Sequence, residues 1–173
     1  MERRELLKLI ALATGSALIG GEMFLTGCKN GPKLGGAAFT ESDIAFIDEE
    51  GETILPKTHT PGATETEIGN VMKVIVDDCY DEDDQKTFHE GIAKLDEACE
   101  AMHKTSFMKA TPEQRLQLLQ SLDTEAKEYQ KKKGEFDKAQ NEKEKEEKTK
   151  GNTAFKKERM EPHYFTMMKQ LTI

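Results

Sequence analysis

The sequence has 173 residues, of which 36% are hydrophobic and 34% charged, and its formal net charge is −8. That size admits one small domain after a leader, and the composition admits only a small core with part of the chain solvated around it. The negative charge argues against nucleic-acid binding, which needs a basic stripe, and the absence of tryptophan together with few aromatics argues against a large stacking or carbohydrate platform.

The chain opens Met1-Glu2-Arg3-Arg4-Glu5-Leu6-Leu7-Lys8, followed by an apolar run from Leu9 to Gly21. The run is shorter than the roughly 20 apolar residues of a membrane span and is flanked by Lys8 and Glu22, so it reads as a signal h-region. Arg3-Arg4 has the form of a twin-arginine export signal, and Leu25-Thr26-Gly27-Cys28 resembles a bacterial lipobox whose cysteine becomes lipidated. An ordinary Sec lipoprotein is the alternative. Residues 1–27 are therefore expected to be a cleaved signal and residues 28–39 a lipidated, flexible tether. The expected location is the bacterial cell envelope, on the periplasmic side, with the lipid in a membrane. Twin-arginine export carries folded proteins, which directs attention to a cofactor site.

Thr40-Glu41-Ser42-Asp43 has capping-box form and predicts a helix, with Ile44, Ile47, Ile54 and Leu55 near one face, Phe46 alongside, and Pro56 as the stop. Pro56 to Ala63 reads as a loop with a Pro-Gly turn. A second helix is expected from Glu67 to Cys79 on the spacing of Ile68, Val71, Met72, Ile75 and Cys79. The acids from Asp77 to Asp84 suit the start of a third helix, whose stripe is Phe88, Ile92, Leu95, Cys99 and Met102. Thr111-Pro112 opens a fourth, with Leu116, Leu119, Leu122, Ala126, Tyr129 and Phe136 on its apolar face. Residues 138–152 form a charged insert, either a solvated helix extension or a disordered segment. A last helix is expected from about Pro162 to Leu171. No strand pattern is sustained, so the fold class is all-α: a small assembly of about five helices spanning residues 40–173.

Residue patterns for chemistry are sparse. There is no Cys-x-x-Cys, no haem-attachment motif, no Gly-x-Gly-x-x-Gly after a strand and no Gly-x-Ser-x-Gly. His89-Glu90 lacks the second histidine of a zinc motif, because Ala93 stands there, and the Asp77–Asp84 stretch lacks the glycine and final glutamate of a calcium loop. His59 and His163 read as surface or packing residues. Cys79 and Cys99 could pair in an oxidising compartment, but a helix end and a position about four turns into the next helix lie ~20 Å apart, which favours two buried small side chains. No catalytic, metal or cofactor residue is assigned to this chain.

Several motifs resemble the gluconate 2-dehydrogenase subunit 3 family. Ile54-Leu55-Pro56 is followed by Thr58-His59-Thr60-Pro61-Gly62-Ala63, then by Val71-Met72. Leu95 and Phe107 lead to Thr111-Pro112-Glu113-Gln114-Arg115 and Leu118-Leu119, and Tyr164 to Thr172 is similar to the family's aromatic last helix. His59 replaces the family's aspartate, and the family runs on past the position of Ile173 with a glycine- and aromatic-containing tail. The resemblance implies a non-catalytic small subunit that escorts, stabilises and anchors a large subunit of the glucose–methanol–choline (GMC) type. FAD would sit in that partner, which would oxidise a sugar or sugar acid and pass electrons to a cytochrome c or quinone. Arg3 and Arg4 would export both chains. Pro56, Thr60, Pro61, Gly62, Tyr164 and Phe165 are the expected partner contacts. Two other classes remain: a free-standing all-α envelope lipoprotein acting as a binding module, and, ranked last, an enzyme in its own right, which would need clustered titratable groups in a pocket.

Overall fold

The computed structural model describes residues 34–152 and 154–173. They form five α-helices and two short 3-10 turns, with no strand among the described residues. The helices are α1 (Glu41–Ile54), α2 (Ile68–Cys79), α3 (Glu82–His103), α4 (Pro112–Thr149) and α5 (Tyr164–Thr172).

Local side chains set the helix starts. The Thr40 hydroxyl accepts the Asp43 N–H at 3.2 Å, and the Asp43 carboxylate accepts the Thr40 N–H at 2.9 Å, closing the capping box of α1. The other Asp43 oxygen accepts the Gly35 N–H at 2.8 Å and so ties the preceding segment down. Gly35 has φ +71°, and a Cβ there would lie 2.3 Å from the His89 carbonyl oxygen, so only glycine fits this approach to α3. Asp81 caps α3 by accepting the Asp84 N–H at 2.9 Å, with Glu82, Asp83 and Asp84 at the positive end of the helix dipole. Thr111 and Gln114 form the capping box of α4, with Pro112 in its first turn.

Phe46 and Ile47 of α1, Met72 and Val76 of α2, and Phe88, Ile92 and Leu95 of α3 are fully buried. Leu118, Leu119, Leu122 and Ala126 of α4 join them, and α5 adds Phe165, Met167 and Met168. Helix α5 packs against all four other helices. Its crossing with α3 is close, since a Cβ at Gly91 would lie 2.5 Å from the Tyr164 Cβ.

Some expected faces are rotated. The buried side of α2 is Gly69, Met72 and Val76, whereas Val71 is 46% exposed and Cys79 is exposed. The cause is the crossing with α1: Gly69 meets the Ile44 carbonyl, where a Cβ would come to 2.7 Å, and this turns the neighbouring valines outward. Met102, Leu116 and Leu55 are likewise exposed.

The helical alternative holds for most of the charged insert, because α4 continues through it to Thr149. At 38 residues it is about 57 Å long. Its second half is stitched by ion pairs one turn apart, such as Lys133–Asp137 at 3.1 Å and Lys148–Glu144 at 2.7 Å. The chain then returns alongside α4. Glu158 bonds Gln140 through both side chain and backbone, Lys157 reaches Glu144 at 3.0 Å, and the Tyr129 hydroxyl donates to the Glu161 carbonyl at 2.9 Å. Arg159 pairs with Asp81, Asp84 and Glu161, fixing the returning segment to the start of α3.

Candidate functional site

The loop from Pro56 to Ala63 joins α1 to α2. Residues 56–61 are all exposed and supply nothing to the core. The loop is nevertheless ordered by specific bonds. Its neck closes where the Ala63 N–H donates to the Leu55 carbonyl at 3.1 Å. Inside the ring so formed lies the Glu52 carboxylate, which accepts the Lys57 N–H at 2.8 Å and the Thr64 N–H at 2.9 Å. The Thr64 N–H, seconded by that of Lys57, holds the Glu52 pKa below its usual value. Gly62 presses on the same carboxylate, since a Cβ there would lie 2.4 Å from either oxygen. At the tip the Thr58 N–H donates to the Thr60 carbonyl at 3.1 Å, and Lys57 pairs with Glu65 across the base. The result is a small Ω-like loop with a preset shape.

The residues expected at a partner surface separate in the structure. Pro56, Thr60 and Pro61 are exposed, whereas Gly62 is buried against Glu52. Tyr164 is half-buried on Gly91, and burial pushes its hydroxyl up to about 12. Phe165 is 2% exposed and belongs to the core, which removes it from the set available to a partner. Cys79 and Cys99 are free thiols, one exposed and one buried in the core. Arg3, Arg4 and Cys28 lie outside the described residues.

Other titratable groups are dispersed. Among the described residues no three His, Cys, Asp or Glu side chains are grouped to hold a metal ion, and no helix is long and apolar enough to cross a membrane. His59 is on the loop and His163 caps α5, its Nδ1 accepting the Phe165 N–H at 3.3 Å. His89 lies under the Phe39 ring at 4.4 Å, and burial lowers its pKa. It lines a cleft of about 430 Å³ with Gly35, Glu82, Lys86 and Glu90. A second groove of about 430 Å³ runs between α4 and α5, lined by the buried Ala126 and Phe165 and by the exposed Ile173. Asp123, on its rim, binds Lys169 at 2.5 Å and Lys127 at 2.7 Å.

Two carboxylates escaped the sequence reading. Glu52 was hidden because its partners are backbone amides, the farther one twelve residues on. Glu50 is fully buried, with neither oxygen bonded among the described residues, and burial alone raises its pKa to about 8. Its position three and four residues from Ile47 and Phe46 was the available signal.

None of the curated proteins and none of the solved structures compared with the chain gave a match. A family model described as gluconate 2-dehydrogenase subunit 3 matches residues 41–173, which takes in the loop, the capped α4 start and α5. A family of that description is one part of a larger enzyme and implies a larger catalytic partner subunit. The chain belongs to the gluconate 2-dehydrogenase subunit 3 family.

Proposed function

We propose that this chain is the non-catalytic small subunit of an FAD-dependent sugar or sugar-acid dehydrogenase, binding a GMC-type large subunit through the loop from Pro56 to Pro61. The observation that carries this reading is an exposed yet tightly tied loop inside the family match: residues 56–61 are all exposed and lie outside the core, and a loop held in shape at the surface suits recognition by a partner. The scattered histidines give no pairing of nucleophile and base, so chemistry is assigned to the partner, which holds FAD and passes electrons to a cytochrome c or quinone. Arg3-Arg4 and Cys28 fit an escort that takes the folded partner across the inner membrane and anchors it by lipid on the periplasmic side.

Co-expression with a GMC-type large subunit encoded beside this chain, then affinity purification of this chain, tests the reading. The expected result is a co-purifying large band with flavin absorbance. A lone, colourless helical protein would overturn it in favour of a free-standing envelope lipoprotein.

A further inference from the structure

We infer that Glu52 is the positioning residue for partner docking: its carboxylate, clasping the Lys57 and Thr64 amides, holds Pro56–Pro61 in the shape the large subunit recognises. This rests on the docking reading above. The geometry is specific. One carboxylate closes both limbs of the loop, with the Lys57 N–H at 2.8 Å on one oxygen and the Thr64 N–H at 2.9 Å on the other. Gly62 leaves the carboxylate its room, because a Cβ would come within 2.4 Å of either oxygen and 2.6 Å of the Lys57 nitrogen. No φ in the left-handed region requires glycine at 62, so its use there is to admit the carboxylate. Glu52 itself is only partly buried, and its carboxylate is occupied by the loop amides.

A loop fixed before binding avoids the entropy of ordering it at the interface. Removing the clasp should therefore weaken docking without unfolding the helices. A glutamine offers an oxygen to one amide and turns an NH₂ toward the other, so Glu52→Gln replaces one hydrogen bond with two opposed donors. Gly62→Ala attacks the same contact from the opposite side while keeping the carboxylate.

The experiment uses the co-expressed complex and the free small subunit. In the free subunit, Glu52→Gln should speed amide exchange at Lys57 and Thr64 and leave exchange in α1 to α5 unchanged. In the complex, affinity for the large subunit should fall about tenfold or more, the range opened by losing a preset loop. Gly62→Ala should reproduce the loss, which keeps the test decisive if Glu52→Gln fails to fold. Faster exchange at both amides with undiminished affinity in both variants would overturn the positioning role and leave docking intact. A wild-type subunit that captures no large subunit would overturn the docking reading itself.

Discussion

Four carboxylates fall between residues 48 and 52, and three of them hold a donor. Asp48 accepts the Gly69 N–H at 2.8 Å, Glu49 pairs with Arg115, and Glu52 ties the loop. Glu50 alone is sealed in the core without a partner among the described residues. Burial makes the neutral acid the favoured form and raises its pKa from 4.5 to about 8. A pKa raised on folding means that the folded chain binds the proton more tightly than the unfolded one. The corresponding stability is complete below the unfolded value and is lost as pH rises through the folded value. Urea unfolding of the wild type and of Glu50→Gln, followed from about pH 5 to pH 9, should show the variant gaining on the wild type as pH rises, by a few kcal/mol across the window. Parallel curves would mean that ionised Glu50 acquires a partner.

At the scale of elements, one substitution made at two glycines should have opposite signs. Gly134 lies inside α4 with nothing within 4 Å of an added Cβ. Gly134→Ala should raise stability by about 0.5–1 kcal/mol, the ordinary helix-propensity gain. Gly91 sits in α3 under Tyr164, where the new methyl would meet the Tyr164 Cβ at 2.5 Å. A Cβ moves only if the α5 backbone moves, so overpacking of about 1–3 kcal/mol should exceed the propensity gain and lower the urea midpoint. Equal gains at both sites would show that α3 and α5 are not in close contact. Whereas the Asp81 cap of α3 was hidden in a run of acids, the starts of α1 and α4 were legible in the sequence because Thr40 and Thr111 carry their caps within three residues. The facing of α2 was not, since Val71 and Val74 are as apolar as the buried Met72 and Val76 and only the tertiary crossing at Gly69 tells them apart. The loop was visible as a motif, but its clasp was not, because a glutamate bound to main-chain amides leaves no pairwise mark in a sequence. Phe165 was misplaced at a surface because core and interface aromatics share a residue type.

For the whole molecule, the division of labour lies along α4. Its first half, through Ala126, builds the core. Its second half is held by charge and by the returning segment, with Gln140 its only fully covered side chain. Arg159 brings that segment home by joining three carboxylates, two of them at the start of α3, and their hydrogen bonds raise its own pKa. Only then does α5 enter and touch the other four helices. Of the five helices, α5 is the last to leave the ribosome. Until α5 docks, the faces of α1 to α4 that it packs against lack their cover. The core cluster is therefore expected to close only when this nine-residue helix docks and adds Phe165, Met167 and Met168.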